Sequence, residues 1–392
     1  MNKITPNIRY VGADDDNLDL FEAQFPIPSG ISYNSYFIDG GSVTAVVDAV
    51  DVRRTSDWLE AVAAEVDRTG HVPSYLLIQH MEPDHSGSIR DLLSLYPSVK
   101  IVCTPKAADM LPGFFHDLDL NDRIVLVKDG DTLQLGDTTL TFFTAPMVHW
   151  PEVMMTLDER DGVLFSADAF GTFAMSTADT GESWAIEARR YYTNIVGRFG
   201  QSVQMVLKKL ASRNFSVIAP LHGPALSGDI SRYVKLYDLW SRWEPESRGV
   251  LVAYASVYGG TAEAARRIAR ELTQLGVEDV ELFDLCRHDV SYGVAEAFRV
   301  AHLVLCSVTY DGSIFPAMYN FLHHLDAKKL QNRRVALVEN GSWAPTAARI
   351  MAEQLSKMKD MTVVEPVLTL RSRLHPDDTA TVTALAKALI EA

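Results

Sequence analysis

Four side chains that can bind a metal ion occur within six residues of each other: His80, Glu82, Asp84 and His85. They follow the apolar run Tyr75 to Gln79, which predicts a buried strand. Imidazole and carboxylate ligands without sulfur suit iron, manganese or zinc. The share of carboxylates favours iron, because oxygen-rich sites tolerate changes in its oxidation state.

Three more ligand-type residues stand where later apolar runs end. The runs are Leu140 to Thr144, Val163 to Ser166 and Ser216 to Leu221, and the residues that follow them are His149, Asp168 and His222. A single histidine at a strand end is more often a polar cap than a ligand. Seven donors that all follow strands favour one shared metal site, because the ends of separate strands can converge.

A turn of small residues indicates a second kind of site. It joins the apolar run Val250 to Ala255 to a predicted helix and consists of Ser256, Val257, Tyr258, Gly259, Gly260 and Thr261. Backbone N–H groups and hydroxyls in such a turn can surround a phosphate, and the helix dipole favours the negative charge. An ordinary strand-to-helix turn with an N-cap would look the same.

Two further loops favour a ligand over an ordinary turn. Each combines small residues with one aromatic side chain, and the loops consist of Ser307, Val308, Thr309, Tyr310, Asp311 and Gly312, and of Asn340, Gly341, Ser342, Trp343 and Ala344. Such loops can enclose a flat ring, on which Tyr310 or Trp343 can stack. FMN fits this pattern, whereas a dinucleotide does not, because the spacing Gly-x-Gly-x-x-Gly is missing.

These residues must be positioned by helices and strands, and the predicted pattern of helices and strands changes within the polar stretch Trp240 to Gly249. Before it, short strand-like runs with few helices predict an αββα sandwich of the α+β class. After it, strands alternate with amphipathic helices, which predicts an α/β doubly wound parallel five-stranded sheet. The predicted strands of this sheet are Val250 to Ala255, Val280 to Leu285, His302 to Ser307, Arg334 to Glu339 and Val363 to Thr369. We therefore expect two domains, residues 1–247 and 248–392.

The composition narrows the class of protein. The chain has 392 residues, of which 47% are hydrophobic and 22% charged, as expected for a globular protein with more than one core. Its net charge of -15 argues against nucleic acids and anionic membranes as partners. The three cysteines never form a Cys-x-x-Cys pair, which argues against disulfides and thiolate metal modules. We expect a cytoplasmic protein, because no segment matches a leader or a membrane helix.

The order His80-x-Glu82-x-Asp84-His85, followed by His149, Asp168 and His222, resembles the flavodiiron proteins, also called A-type flavoproteins, a branch of the metallo-β-lactamase superfamily. Similar surroundings occur at Pro26-Ile27-Pro28, Ser32-Tyr33-Asn34-Ser35-Tyr36, Ser86-Gly87-Ser88, Pro146-x-x-His149-Trp150-Pro151 and Tyr191-Tyr192-x-Asn194-Ile195. The resemblance covers nearly the whole chain. It implies a metallo-β-lactamase-like domain followed by a flavodoxin-like domain.

The resemblance also implies a set of ligands. One iron would be held by His80, Glu82 and His149, and the other by Asp84, His85 and His222, with Asp168 and an oxo or hydroxo group bridging them. In some members a water takes the place of the His85 contact. Related hydrolases have His where Glu82 stands, and an anionic donor makes higher oxidation states of iron easier to reach. The FMN loops depart from many relatives, which have Asn at Gly260 and Pro at Val308.

The resemblance implies an oxidoreductase that reduces dioxygen to water, nitric oxide to nitrous oxide, or both. Two electrons on FMN and one on each ferrous ion make the four that dioxygen requires. The resemblance further implies a head-to-tail homodimer or a dimer of dimers, with the FMN of one subunit beside the iron pair of the other. We expect an external electron donor: a rubredoxin-like protein, a reduced deazaflavin or a nicotinamide-linked reductase.

Two other functions stay open at this point. A dizinc metallo-β-lactamase-like hydrolase fused to a flavodoxin domain would contain equimolar zinc and hydrolyse a thioester or phosphodiester. A non-catalytic electron carrier or gas sensor would reoxidise its flavin without a matching yield of water or nitrous oxide.

Overall fold

The computed structural model describes residues 3–118, 120 and 122–391. It divides into two compact units, Met1–Asp238 and Leu239–Ala392. The domain boundary expected from the sequence, between residues 247 and 248, lies further along the chain and stays a prediction.

The described residues of the first unit form two large sheets and two separate pairs of strands. Its strands are β1 (Ile8–Tyr10), β2 (Ala13–Asp15), β3 (Leu20–Phe21), β4 (Phe25–Pro26), β5 (Ile31–Tyr33), β6 (Tyr36–Asp39), β7 (Thr44–Val47), β8 (Tyr75–Leu77), β9 (Lys100–Cys103), β10 (Ile124–Leu126), β11 (Thr132–Leu135), β12 (Thr138–Thr144), β13 (Met154–Asp158), β14 (Val163–Phe165) and β15 (Val217–Ala219). The first sheet has the order β1-β6-β7-β8-β9-β10 and the second the order β11-β12-β13-β14-β15. Strands β7 to β10 are parallel to each other, as are β14 and β15.

Helices accompany both sheets of this unit. They are α1 (Thr55–Thr69), α2 (Pro83–Ser86), α3 (Ile89–Leu95), α4 (Pro105–Phe114), α5 (Trp184–Tyr191), α6 (Gly200–Leu210) and α7 (Ser231–Ser241), with 3-10 turns at Val52–Arg54 and Gly197–Phe199 and a π-helical turn at Tyr192–Val196. Helix α1 packs near β6 of the first sheet, and α6 packs near β12 of the second. The layers therefore confirm the αββα sandwich.

The core of the sandwich forms between the sheets because alternate side chains of each strand point inward. Tyr36 and Ile38 of β6 belong to the same buried cluster as Leu140 and Phe142 of β12. Burying a large apolar side chain stabilises the fold by ~1.5–3 kcal/mol. This packing holds the strand ends in place, and the predicted metal ligands follow those ends.

The second unit is a doubly wound sheet. Its strands are β16 (Ser247–Ala255), β17 (Val280–Asp284), β18 (Val300–Tyr310), β19 (Ser313–Ile314), β20 (Arg333–Asn340), β21 (Met361–Val363) and β22 (Leu368–Leu370), and its helices are α8 (Gly260–Gln274), α9 (Val290–Arg299), α10 (Pro316–Ala327), α11 (Ala347–Leu355) and α12 (Thr379–Ile390), with a 3-10 turn at Pro376–Asp378. The five strands β17-β16-β18-β20-β21 follow one another across the sheet and are parallel. One face packs against α9, α10 and α11, and the other packs against α8 and α12. This arrangement confirms the predicted flavodoxin-like architecture.

Two details of this unit differ from the sequence-based expectation. The predicted strand Val363 to Thr369 is split into β21 and β22, because Pro366 has no N–H with which to continue the ladder. The predicted loop after the third strand is mostly a hairpin: Ser307 to Tyr310 belong to β18, which pairs with β19. Asp311 and Gly312 form its turn with φ of 51° and 70°, the positive values that tight hairpin turns require.

Within the described part of the chain, none of the helices combines the length and the apolar character that crossing a membrane requires.

Candidate metal centre and cofactor loops

The structure brings all seven predicted metal ligands together. They form two groups, His80, Glu82, His149 and Asp168, and Asp84, His85 and His222. Within each group, one ligand atom of every residue lies within 4.8 Å of the ligand atoms of the others. The donors come from four places: the loop after β8 with α2, and the loops after β12, β14 and β15.

Asp168 lies between the two groups. Its Oδ2 atom is 3.2 Å from Nε2 of His80 and 3.1 Å from Nε2 of His149. Its Oδ1 atom is 3.4 Å from Nε2 of His85 and 3.6 Å from Nε2 of His222. Each oxygen therefore faces a different group, which is the arrangement of a carboxylate that bridges two ions.

The other distances fit two coordination shells. Oε2 of Glu82 is 3.2 Å from Nε2 of His80 and 3.1 Å from Nε2 of His149. In the second group, Oδ2 of Asp84 is 3.3 Å from Nε2 of both His85 and His222. Donors that are each about 2.1 Å from one ion lie about 3.0 Å apart in an octahedron and about 3.4 Å apart in a tetrahedron.

Buried atoms without a partner also indicate cations. Both carboxylate oxygens of Asp84 and of Asp168, and Nε2 of His149, are buried and have no hydrogen-bond partner among the described residues. A buried carboxylate in this condition is costly unless a cation compensates it. The donor set therefore fits two metal ions.

The charges in the cluster support the same conclusion. Burial would raise the pKa of Asp168, but His80 and His85 outweigh burial and hold it well below the usual range. Burial would lower the pKa of His149, but Asp168 and Glu82 raise it to about 9. The carboxylates thus favour positive charge on their neighbours, and bound metal ions would supply that charge in place of protons.

Outer contacts orient two of the histidines. Nδ1 of His80 lies 2.8 Å from Oε1 of Glu152, which also accepts a hydrogen bond from the backbone N–H of Met81 at 2.9 Å. Nδ1 of His222 lies 2.7 Å from the carbonyl oxygen of Ser32. Nδ1 of His85, by contrast, is buried with no hydrogen-bond partner in the described part of the chain. A hydrogen-bond partner at Nδ1 fixes the orientation and the tautomer of an imidazole ring. The ring of His85 is therefore less constrained than the rings of His80 and His222.

The sequence did not indicate Glu152 as a functional residue. We expect Glu152→Gln to weaken iron binding by about 10–100-fold, because it removes the charge that orients His80. Iron content after dialysis against graded chelator concentrations measures the effect. Glu159→Gln is the matched control, since Glu159 is exposed and accepts a hydrogen bond from Thr141. Equal iron retention in the two variants would contradict the assigned role.

Strained backbone supports the loops that carry the ligands. Met147, two residues before His149, has φ of 65°, and Ala167, directly before Asp168, has φ of 50°. Asp48, with φ of 51°, accepts hydrogen bonds at Oδ1 from the N–H groups of Gln79 (2.8 Å) and His80 (3.2 Å). Such conformations cost ~1–3 kcal/mol each and persist at sites where the surrounding structure enforces them. No motif in the sequence marks Asp48, because its role depends on a contact 31 residues away.

A cleft gives access to the cluster. Its volume is about 450 Å³, and Glu82 and Asp84 form part of its wall, together with Tyr33 and Arg53. Aromatic rings surround the His222 ligand, with ring centroids 5.2 Å away for Phe21, 6.2 Å for Tyr33 and 5.5 Å for Tyr191. The centre is therefore open toward the cleft, and aromatic rings pack around His222, of which Phe21 and Tyr33 also line the cleft.

The three predicted cofactor loops lie at the carboxyl ends of the neighbouring strands β16, β18 and β20. Tyr258 is 97% exposed and Trp343 is 87% exposed, and Tyr310 is also exposed. Large aromatic side chains exposed at one end of a sheet are typical of a surface that a ligand or partner covers. The structure thus places the aromatic candidates where a flat ring can bind, beyond the strand ends.

The predicted phosphate turn has the backbone that such a turn needs. Gly259 has φ of 90°, and α8 begins at Gly260. Oγ of Ser256 accepts hydrogen bonds from the N–H groups of Gly259 and Ala262, both at 3.2 Å. A phosphate fits a small-residue turn at a helix N-terminus.

Comparisons with known proteins agree with the two kinds of domain. Residues 31–223 match the ODP family beta lactamase model, and residues 251–371 match the flavodoxin domain model. The anaerobic nitric oxide reductase flavorubredoxin of Aeromonas hydrophila is 29% identical over 386 residues, which are 95% of this chain and 76% of that protein. Its counterpart in Salmonella typhi is 28% identical over 382 residues, with 95% and 78% covered.

Solved structures show the same architecture over the full length. The rubredoxin oxygen:oxidoreductase from Desulfovibrio gigas superposes with a TM-score of 0.91 and 25% identity, covering 99% of this chain and 97% of that chain. The flavodiiron protein from Giardia intestinalis shares the fold with a TM-score of 0.89 at 23% identity, with 99% and 96% covered. The chain therefore has the two domains of the flavodiiron oxidoreductases, a metallo-β-lactamase-like domain that precedes a flavodoxin domain, and it is similar to these proteins over nearly its full length.

Proposed function

We propose that this chain reduces nitric oxide to nitrous oxide, dioxygen to water, or both, at two iron ions that receive electrons through FMN. The observation that carries the proposal is the position of Asp168, whose two oxygens face separate groups of metal donors. Similar proteins are named for both substrates, nitric oxide in Aeromonas hydrophila and oxygen in Desulfovibrio gigas.

The donor set supports iron over zinc. It contains four imidazoles and three carboxylates, and both groups include an anionic residue besides Asp168. Burial would raise the pKa of Glu82, but His149 and His80 lower it to about 2, so this donor is an anion at neutral pH. Anionic oxygen donors favour higher oxidation states, which a redox metal uses and zinc does not.

Two ferrous ions bound here would supply electrons and binding positions for a small gas, and reduced FMN would supply two further electrons. The chain's own residues hold the site together around this chemistry. Asp168 links the two donor groups, while Glu152 and Ser32 orient His80 and His222. Phe21, Tyr33 and Tyr191 pack their rings around that of His222. The cleft beside Glu82 and Asp84 leaves a path for the gas and for protons from solvent.

The electron path is also part of the proposal. FMN would bind at residues 256–261, 307–312 and 340–344, with Tyr310 or Trp343 against the ring. We propose a rubredoxin-type donor, since similar proteins are a flavorubredoxin and a rubredoxin oxygen:oxidoreductase; a reduced deazaflavin and a nicotinamide-linked reductase are the alternatives.

Turnover of the anaerobically reduced protein with each gas in turn tests the proposed function. The protein is loaded with iron and FMN, reduced, and supplied with nitric oxide or dioxygen while products are quantified. We expect nitrous oxide, or water without accumulated hydrogen peroxide, at a yield that matches the electrons consumed. Equimolar zinc with hydrolysis of a thioester or phosphodiester would replace the proposal with a hydrolase. Flavin reoxidation without either product would replace it with an electron carrier.

We also propose a head-to-tail homodimer, or a dimer of such dimers, in which FMN serves the iron pair of the other subunit. Mixed dimers test this arrangement. One chain carries Asp168→Asn, which removes the bridging carboxylate, and the other carries Ser256→Glu, whose charge repels the FMN phosphate. We expect the mixture to regain activity that neither variant has alone. No recovery in proven mixed dimers would mean that electrons pass within one chain.

A further inference from the structure

A segment that no motif in the sequence marks lies against the phosphate turn. It is Arg371 to Arg373, which follows β22. The carbonyl oxygen of Ser372 fills the space beside Gly260, where an added Cβ atom would lie only 2.1 Å from it. Gly260 begins a regular helix, so this contact, and not its backbone conformation, excludes a larger residue.

The side chain of Asn340 connects this segment to the phosphate turn. Its Oδ1 accepts a hydrogen bond from the N–H of Ser372 at 3.0 Å, and its Nδ2 donates to the carbonyl oxygen of Ser372 at 3.0 Å. The same Nδ2 lies 3.2 Å from Oγ1 of Thr261 in the phosphate turn. We call these contacts of Asn340 with Ser372 and Thr261 the Asn340–Ser372 clamp.

Ser372 is held in an unfavourable conformation. Its φ is 78°, in the left-handed region that residues with a side chain seldom adopt. Besides the two hydrogen bonds with Asn340, its Oγ is 2.6 Å from Oγ of Ser342. Strain that neighbouring contacts enforce is concentrated at sites that bind ligands.

Two hydroxyl groups at the phosphate turn keep a hydrogen to donate, and the clamp contacts one of them, that of Thr261. Oγ1 of Thr261 accepts from Asn340, and Oγ of Ser256 accepts from the backbone N–H groups of Gly259 and Ala262. Each hydroxyl therefore has its own hydrogen left to donate to a phosphate oxygen. Residues 256–261 include no Lys or Arg, and the first turn of α8 carries Glu263. Within residues 256–261, only hydroxyl and N–H donors can contact a phosphate, so their positions matter.

We propose that the Asn340–Ser372 clamp, seated on Gly260, positions the phosphate turn and thereby selects FMN over riboflavin. This inference rests on the proposed function, because it takes FMN as the ligand. It assigns Asn340, Ser372 and Gly260 as positioning residues for the phosphate.

Gly260→Ala tests the clamp, because the added methyl group displaces Ser372 while alanine still suits the start of a helix. The metal-loaded protein without flavin is titrated with FMN and with riboflavin. We expect the Kd for FMN to rise about tenfold or more and that for riboflavin to change less than about twofold, since only phosphate hydrogen bonds are lost. Gly113→Ala is the control, because Gly113 lies in α4 with open space around its Cβ position, and both affinities should stay unchanged.

The outcomes separate this inference from the proposed function. Failure of the unmodified chain to bind FMN would contradict the proposed function. If Gly260→Ala binds FMN as tightly as the parent, or loses affinity for FMN and riboflavin equally, the proposed role of the clamp is contradicted.

Asn340→Ala gives a second test that does not require Gly260→Ala to fold, and a double-mutant cycle applies where both variants are stable. Asn340→Ala and Gly260→Ala release the same segment, so we expect the double variant to bind FMN no more weakly than the weaker single variant. Trypsin should also cleave faster after Arg371 and Arg373 in each flavin-free variant than in the flavin-free parent. Additive losses, or unchanged cleavage rates, would show that the segment acts independently of Asn340.

Discussion

Asp168→Asn is expected to reduce the iron content from two ions to at most one per chain and to lower turnover with either gas by more than about 100-fold. The reason is the dual position of this carboxylate. Each oxygen lies 3.1–3.6 Å from the imidazole nitrogens of a different donor group. An amide has one oxygen and no charge, so it can serve at most one group, and its NH2 would face a cation on the other side.

Iron analysis and steady-state assays with nitric oxide and with dioxygen measure this prediction. Asp158→Asn is the matched control: Asp158 is a buried carboxylate of β13, its Oδ1 accepts from the N–H of Asp161, and it belongs to neither donor group. We expect this control to keep both ions. Retained FMN in Asp168→Asn would show that the second unit is folded. Two ions and full turnover in that variant would rule out a bridging role.

Arg333→Met is expected to lower the free energy of unfolding of the second unit by about 3–5 kcal/mol. Arg333 is only 2% exposed, and its guanidinium donates to five backbone carbonyls. Two of them, those of Ala297 and Phe298, lie in the last turn of α9, where a positive charge is favoured by the helix dipole. Burial lowers the pKa of Arg333 to about 10, so the group stays charged at neutral pH.

The expected loss of stability in Arg333→Met is large because buried carbonyl oxygens are left without a hydrogen-bond donor. The carbonyl of Trp243, which receives Nη1 at 2.8 Å, would be among them. Calorimetry and urea unfolding of the full chain measure the change. Arg349→Met serves as the control, since its ion pair with Glu353 is exposed and worth at most about 0.5 kcal/mol. A loss of less than about 1 kcal/mol for Arg333→Met would mean that water replaces the guanidinium at little cost.

Much of the fold could be predicted from the sequence because its signals are local. Buried strands that alternate with amphipathic helices predicted the doubly wound sheet, and the small-residue turn 256–261 predicted the helix that begins at Gly260. The split between β21 and β22 was missed, although Pro366 could have indicated it. The hairpin of β18 and β19 was also missed, although Asp311-Gly312 is a common hairpin turn.

The candidate metal centre was predictable for a different reason. Its predicted ligands are chemically distinctive residues that each follow an apolar run, so they can be recognised from the sequence alone. Residues that act through a ligand lack such a signature. Glu152 orients His80 from 72 positions away, and Ser372 reaches Gly260 only through the packing of distant loops. Such pairings depend on tertiary contacts, which a single sequence does not specify.

Anomalous X-ray diffraction at the iron absorption edge, from crystals of the iron-loaded protein, is the most direct test of the metal centre. We expect two iron peaks per chain, one beside Oδ2 of Asp168 with His80, Glu82 and His149, and one beside Oδ1 with Asp84, His222 and His85 or a water. A single peak, two peaks that appear only at the zinc edge, or iron bound away from Asp168 would contradict the bridged diiron site.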